Sequence, residues 1–556
     1  MLARDWKRAP WGLLLALAIM AFVQAPCLDA RLYDDDYAQL AAARGLDEPT
    51  LAARSLLDLY RFFPGDVEAG RALMRHGAVP WWFEPSTQMS FFRPLSCALM
   101  VLDARVLGDR TTLYHAHSML WCAALLVAFW ALARRVTPRS AELAVCLFAA
   151  SRYSVSLGAV WWCNRHLVVS ATFACVALWA LARWRLEAWR PGRWIAPMAI
   201  ILALLGGESG LQVFAYVGAF ELFVSRRAHS VAMVGAGAVL YLLVRIALGY
   251  GTRGESIYRD PLHEPGRWLS LVLSRGPSHV AAVLGGGLPA WPMGLLLVAI
   301  AGHAIMDKAI ARPTLAWLLV GSLACVPIAV TSPADVLGAA SVGALLASAA
   351  IAHHAWTLAR DGAKKWPVRV SMASGLVAIV GAQGAVSTVL ASRIVAQRAS
   401  DQRGAEELLM RARIDLDKTR VVVVAGYDFQ WAALGAMRAM RPDLRVRAWH
   451  SIGDSPAETT ELLRIDETTL EIGCTAPKCA LVRFDWFRGA KTPLRIGDAI
   501  ALDGFTITVR EVSPDGPSRV RVSFASPSEL SATCFLVLGR DGLQPIGLPE
   551  VGRRAD

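Results

Sequence analysis

Apolar runs close to bilayer-crossing length recur along this chain and leave it few ways to fold in water. They fall at 11–27, 113–133, 141–160, 166–182, 194–206, 208–224, 230–249, 291–306, 314–331, 336–358 and 370–391, and roughly 20 residues suffice to span the hydrocarbon core. The pair at 194–224 is short and closely spaced. A further stretch, Phe91–Gly108, carries Arg93, Asp103 and Arg105 and reads as interfacial or re-entrant. The expected fold class is therefore an α-helical polytopic membrane protein with roughly 11 transmembrane helices. A hydrophobic share of 55% and a mean hydropathy of +0.41 agree with that, and 20 Trp suit aromatic belts at two interfaces.

The formal charge of +12 invites a nucleic-acid reading, but its distribution argues against one. With the N-terminus cytoplasmic behind Arg4, Lys7 and Arg8, the inner loops hold Arg134, Arg135 and Arg139; Arg183, Arg185, Arg190 and Arg193; Arg226 and Arg227; Lys308 and Arg312; and Arg360, Lys364, Lys365 and Arg369. Every second loop is basic, as the positive-inside rule requires. The basicity is topological, and no nucleic-acid partner is expected. Residues 1–27 read as a first transmembrane helix, or alternatively as a cleaved signal peptide that leaves the same orientation. High Ala, Arg and Gly usage points to a bacterial inner (plasma) membrane, with the C-terminal part periplasmic or extracellular.

Beyond the first run, three parts follow. Residues 28–112 form an outer loop too long for a simple connection. Residues 113–391 form the helical membrane body. Residues 393–556 are a polar, β-rich α+β domain outside the membrane, with period-2 runs at Val421–Val424, Leu444–Trp449, Leu481–Trp486, Phe505–Val512 and Val520–Phe524. The first run, then QWAALGAMRAM, then RVRAW, reads as strand–helix–strand, and the remainder as antiparallel β. Most of the ten Cys lie in or beside apolar runs and act as small hydrophobes. Cys474 and Cys479 flank a turn-like TAPK outside the cytoplasm, where a hairpin disulfide is admissible.

The chemistry-bearing residues gather at the outer face. Asp34, Asp35 and Asp36 follow the first apolar run in RLYDDDYAQL. Glu84, Arg93, His115, His117, Asn164, Arg165, His166, Glu208, Arg253, Tyr258 and Arg259 fall on the same side. Our hypothesis is that these line one outward cavity. A carboxylate can take the proton of an attacking hydroxyl, and arginine's fork matches phosphate oxygens. Each has a plainer reading. An acidic run is usually a solvated loop, or it can hold a divalent cation through oxygen ligands. FFRPL can be an interfacial anchor, with Pro94 opening a helix. Arg165 and His166 beside Trp161 and Trp162 can be belt residues. Glu208, between two apolar runs in LALLGGESGLQ, is harder to dismiss, because a carboxylate near membrane depth is paired or functional. Arg152 reads as structural, and His353 and His354 as packing residues.

The order of these motifs is more specific than any one of them. YDDDY, SFFRPLSCALMVLD, LYHAHSMLWCAALLVAFWALARR, LFAASRYSVSLGAVWWCNRHLVVSATFACVALWAL, LALLGGESGLQVFAYVGAFELF and YLLVRIALG succeed one another in the chain. This succession resembles the GT-C superfamily of polytopic glycosyltransferases. Within it, the chain is most similar to the protein O-mannosyltransferase type, including the transmembrane O-mannosyltransferases that carry tetratricopeptide repeats and their bacterial relatives. The resemblance covers roughly 10–250 well and 250–391 only in general layout. It implies inverting transfer from a polyprenyl-phosphate sugar at the outer face, with no nucleotide sugar and no cofactor. The acceptor it implies is a hydroxyl of a protein or a glycan. Residue by residue, the acidic motif falls on Asp34–Asp36, with Asp35 favoured as base. The aromatic-Arg-Pro-Leu element falls on Phe92, Arg93, Pro94 and Leu95, the helix-opening Arg on Arg165, and the Lys-Glu element on Gly207 and Glu208. His166, His115 and Arg259 are further candidates for the substrate site. The chain departs from the pattern where Ser151–Arg152 replaces a His-Pro pair, where Gly207 replaces Lys, and where a β-rich tail replaces the repeats.

Two other functions compete with the enzyme. A lipid or solute transporter or flippase would more typically show paired halves with broken helices at matched positions, and no such symmetry is visible. A catalytically inactive scaffold of the same fold would keep the membrane body as an anchor for the exported domain.

Overall fold

The computed structural model describes residues 10–33, 35–45, 55–150, 158–254, 258, 261, 264–274, 311–329, 349, 352–353, 367–415, 418, 420–425, 446–453, 459–475, 480–482, 487–489, 491–539 and 541–554. Helix α1 (Trp11–Gln24) runs on through a 3-10 turn (Ala25–Asp29), and α2 (Asp35–Ala43) follows at once. The rest of the outer loop builds β1 (Arg61–Pro64), α3 (Val67–His76), β2 (Gln88–Ser90) and α4 (Pro94–Val106). The membrane body continues with α5 (Thr111–Val136), α6 (Ala141–Ala149), α7 (Arg165–Glu187), α8 (Gly192–Gly206), α9 (Gln212–Phe223) and α10 (Ala228–Ala247). Strand β3 (Gly251–Arg253), α11 (Ala311–Ala329) and α12 (Pro367–Met410) precede the tail.

Four stretches among the described residues are helical, long and apolar enough to cross a membrane: Trp11–Asp29, Thr111–Val136, Trp162–Glu187 and Ala228–Ala247. The fifteen residues of α8 and the twelve of α9 are shorter than a full span, and the expected runs at 291–306 and most of 336–358 lie outside the described residues. The expected span at 141–160 differs too, since its helix stops at Ala149 and residues 158–160 are a bend. Helix α7 is central: 72% of its apolar window is buried, against 6% for α10. Along α10, Met233, Val239, Leu240, Leu243 and Ile246 are exposed. A contiguous apolar surface of that length needs lipid or a partner to cover it. Helix α4, thirteen residues opened by Pro94 at its first turn, is about 20 Å long by its rise and too short to span.

One end of the body collects the outer-loop elements. The order β1-β2-β3 is antiparallel throughout and pairs Gln88 with both Pro64 and Arg253, so the segment after α10 is stitched to the outer loop. The opposite end is held by ion pairs of Arg135 with Glu187 at 2.8 Å and Arg185 with Glu221 at 2.8 Å.

The tail holds two sheets. In the first, β4 (Arg420–Ala425) pairs in parallel with β5 (Ala448–Ser451) and with β11 (Thr533–Gly539), and β12 (Gly542–Pro545) closes the order β12-β11-β4-β5. Every residue of β4 is buried, as a central parallel strand requires. The second sheet is antiparallel, ordered β6-β7-β10-β9-β8, from β6 (Thr460–Arg464), β7 (Thr469–Cys474), β8 (Ala499–Leu502), β9 (Phe505–Ser513) and β10 (Gly516–Phe524). The strand expected at Leu481–Trp486 is not formed at Leu481 and Val482, which lie in a bend, and the one expected from Leu444 begins at Ala448. Cys474 is disulfide-bonded, with its partner outside the described residues.

The outer loop and the tail are not separate bodies. Trp81, Trp82, Phe83 and Phe63 share one core with Phe487, Trp449 and the strands of both sheets. Trp81 Nε1 donates to the Ile452 carbonyl at 3.0 Å, and Arg488 donates to the carbonyls of Trp82 and Phe83 and to Glu84. Gly77 ends α3 at φ +76, in left-handed backbone, where any side chain would meet the Trp449 carbonyl. Helix α12 also ignores the expected boundary near residue 392, running unbroken for 44 residues from the membrane body to the tail.

Candidate active site at the outer end of the membrane body

The acidic motif opens α2 beside the turn that opens α7. Asp36 is fully buried and accepts three backbone N–H groups: Tyr33 at 3.1 Å, Trp162 at 3.3 Å and Cys163 at 2.8 Å. Burial raises its carboxyl from 3.8 to about 6, and those hydrogen bonds restrain the rise. Asp36 therefore ties the first outer loop to the start of α7, and its oxygens are occupied in doing so. Asp35, one residue earlier, is only partly buried and accepts from Trp161 Nε1 at 2.6 Å. Asp34 lies outside the described residues. Of the two described acids, Asp35 is the one whose carboxylate reaches the surface.

Arg93 packs on Tyr60. Its Nε donates to Glu208 at 2.8 Å, and its guanidinium lies 4.7 Å above the Tyr60 ring and 4.3 Å above Phe91. Burial works against the Arg93 charge, but Glu208 outweighs it and holds the group firmly protonated. Glu208 also accepts from the Phe92 backbone N–H at 2.7 Å and faces Arg245 at 3.8 Å. Tyr60 is 1% exposed and donates to the Cys163 carbonyl at 2.5 Å. The charges of Arg93 and Asp35 both act on its phenol, which burial pushes well above the ordinary range. His166 stacks on Tyr60, with ring centroids 5.7 Å apart. The sequence carried no signal for Tyr60, whose place is set by partners far along the chain, Cys163 and His166.

Arg93 and His166 pack on Tyr60, Glu208 pairs with Arg93, and Asp36 and Tyr60 share Cys163 as a partner. Arg165 does not join them: it is 3% exposed and pairs with Asp103 at 2.5 Å, Ser118 at 3.0 Å and the Tyr114 carbonyl at 2.8 Å. Asp103 also accepts from Trp162 Nε1 at 2.9 Å and contacts His117 Nδ1 at 2.6 Å. Trp121 donates to His117 Nε2, which fixes the proton on Nδ1. Burial alone would raise the Asp103 carboxyl, and the His117 and Arg165 contacts reverse this and hold it low. Arg165 is therefore spent on a buried carboxylate. His115 is likewise a strut, fully buried with Nδ1 2.9 Å from the Ala159 carbonyl. Arg259, Ser151 and Arg152 lie outside the described residues.

Five buried polar atoms near Glu208, namely His166 Nδ1, Ser170 Oγ, Ser209 Oγ, Tyr241 Oη and Arg245 Nε, have no hydrogen-bond partner among the described residues. Gly207 sits among them, in extended backbone, with His166 and Ser170 as its nearest neighbours.

For a metal, ligand atoms of Asp35, Asp36 and Cys163 lie within 4.8 Å of one another. The set fits a divalent cation poorly. Asp36 already accepts three N–H groups, and a thiol is a soft partner for the hard ions that favour carboxylates.

No protein-family description and no curated protein matches the chain. Solved structures similar to it include the following two. One is ArnT from Cupriavidus metallidurans bound to undecaprenyl phosphate, with a TM-score of 0.41 and 12% identity, covering 80% of this chain and 90% of that one. The other is the Archaeoglobus fulgidus oligosaccharyltransferase tethered with an acceptor peptide, with a TM-score of 0.41 and 12% identity, covering 81% of this chain and 65% of that one.

Proposed function

We propose that this protein is a membrane glycosyltransferase of the GT-C type, transferring a sugar from a polyprenyl-phosphate donor to a hydroxyl outside the cytoplasm, with inversion. The observation that carries the reading is that a partly exposed carboxylate, Asp35, and a largely enclosed, firmly charged guanidinium, Arg93, both act on the one buried phenol of Tyr60. The motif order in the sequence adds to it.

In this reading Asp35 takes the proton from the acceptor hydroxyl as its oxygen bonds to the anomeric carbon. The bond from that carbon to the phosphate oxygen breaks on the opposite face, and the phosphate leaves with the electron pair. Arg93 stabilises the charge gathered there, within a desolvated site that strengthens the attraction. Glu208 aims Arg93, and Arg245 with Tyr241 completes the donor set around it. Asp36 and the Arg165–Asp103 pair hold the frame.

Detergent-purified protein given polyprenyl-phosphate sugars, with release of the lipid phosphate followed by mass, tests the reading. Donor consumption that disappears in Asp35→Asn supports it. A wild-type protein that consumes no such donor refutes it and leaves a membrane-anchored scaffold.

A further inference from the structure

Resting on that reading, we propose that the mouth beside Asp35 is a carbohydrate-binding subsite, built from the rings of Tyr33 and Trp161 and the polar side chains of Arg31 and Glu406, and that the acceptor it seats is a glycan.

Four observations converge. Tyr33 and Trp161 meet edge to face at 5.3 Å, each only partly buried, and Trp161 is the residue whose indole N–H holds Asp35. The polar wall comes from a distant part of the chain. Helix α12 passes the mouth, anchored by Gln402 donating to the Val160 carbonyl at 3.0 Å and Arg403 to the Asp29 carbonyl at 3.3 Å. One turn on, Glu406 accepts from Tyr37 at 3.2 Å and pairs with Arg31 at 3.4 Å. The Arg31 side chain is 50% exposed, against 20% for Glu406, so that ion pair faces solvent and adds little as a fastening. Its chemistry is better suited to a ligand: a carboxylate and a guanidinium side by side grip neighbouring hydroxyls, one accepting and one donating.

Aromatic faces for the C–H side of a sugar ring, flanked by groups that take pairs of hydroxyls, are what a pyranose requires. A peptide acceptor calls for something else, namely an open sheet edge, an apolar groove, or rows of backbone donors and acceptors. None of these borders Asp35 among the described residues. The contrast with the buried half of the site is also informative. Around Glu208 the donors are enclosed, as suits a group drawn from the bilayer, whereas the rim at Asp35 is half open, as suits an acceptor arriving from the aqueous side.

The test uses the full-length protein in lipid nanodiscs and saturation-transfer NMR. The probes are short linear oligosaccharides of glucose, mannose and N-acetylglucosamine, with a serine- and threonine-rich peptide alongside. At least one oligosaccharide should receive saturation and the peptide none. Tyr33→Leu and Glu406→Gln should each weaken that binding about tenfold, one by removing a ring face and the other by replacing a charged acceptor oxygen with an N–H donor. Asp35→Asn, which keeps an oxygen for the Trp161 N–H, should bind glycan and fail to transfer. Peptide binding in place of glycan, binding of neither, or glycan binding indifferent to both variants overturns the proposal. Glycan binding without consumption of any lipid-linked donor spares the subsite and sinks the transferase reading.

Discussion

Replacing Asp35 and Asp36 separately by Asn should divide one motif into a chemical residue and a structural one. Asp36 accepts backbone N–H groups from Tyr33, Trp162 and Cys163. An Asn amide can keep one oxygen for Cys163, but it turns a donor toward the other two N–H groups. Two charge-assisted hydrogen bonds are lost, at about 1.5–3 kcal/mol each. Part of that loss is returned, because Asn escapes the desolvation that raises the Asp36 carboxyl. The balance is a destabilisation of about 1–3 kcal/mol, the cost of buried N–H groups left without an acceptor. At Asp35 the bond from Trp161 Nε1 can be preserved, because the Asn oxygen can accept it. Stability should stay within about 0.5 kcal/mol of wild type, while removal of the base lowers transfer by roughly a hundredfold to ten-thousandfold. Thermal unfolding in detergent reads the first quantity and donor consumption the second. If Asp35→Asn keeps full activity while Asp36→Asn loses it with unchanged stability, the division is backwards and the reasoning fails.

Four further outcomes follow. Because Asp36 binds its proton more tightly folded than unfolded, the native state holds more protons between about pH 4 and 6, so stability should fall as pH rises through that window by about 3 kcal/mol, and Asp36→Asn should lack the slope. Arg93→Lys replaces a fork stacked on two rings by a point charge, and lipid-phosphate release should drop at least tenfold even where the protein folds. Asp103→Asn leaves Arg165 buried beside a neutral partner, at a cost of about 3–5 kcal/mol, and should appear as lost folded protein in size-exclusion profiles rather than as a changed KM. Gly77→Ala drives a methyl into the Trp449 carbonyl at a left-handed position, and should loosen the outer loop from the tail, seen as faster proteolysis of 77–90.

Much of this arrangement was legible from residue order. The DDD motif after the first span, the FFRPL element at the start of α4, and Glu208 between two apolar runs were each found at one end of the body. Their roles within that end were not legible. Asp35 and Asp36 are adjacent and identical in type, and only the position of the Trp162 and Cys163 N–H groups makes Asp36 a fastening and leaves Asp35 partly exposed. Arg165 looked like a phosphate ligand because its partner Asp103 is 62 residues away, on a helix whose pairing no periodicity reveals. Tyr60 and Glu406 were invisible for the same reason, since each acquires meaning only through a neighbour far along the chain. In the tail, the buried run at β4 was readable from four consecutive valines. The bend at Leu481 was not, because its apolar residues face the same core as a strand would.

The unbroken length of α12 has a geometric consequence. At about 1.5 Å and 100° per residue, its 44 residues act as a driveshaft roughly 66 Å long. A single residue inserted near its middle would swing everything beyond it by about 100°, and with it either Glu406 or the exported sheets would leave their seats. An insertion of seven residues restores the facing to within about 20° but lifts the head by roughly 10 Å. Chain length along this one rod must therefore match the contacts that fasten the tail to the loop before α4, since both together set how the two sheets are aimed.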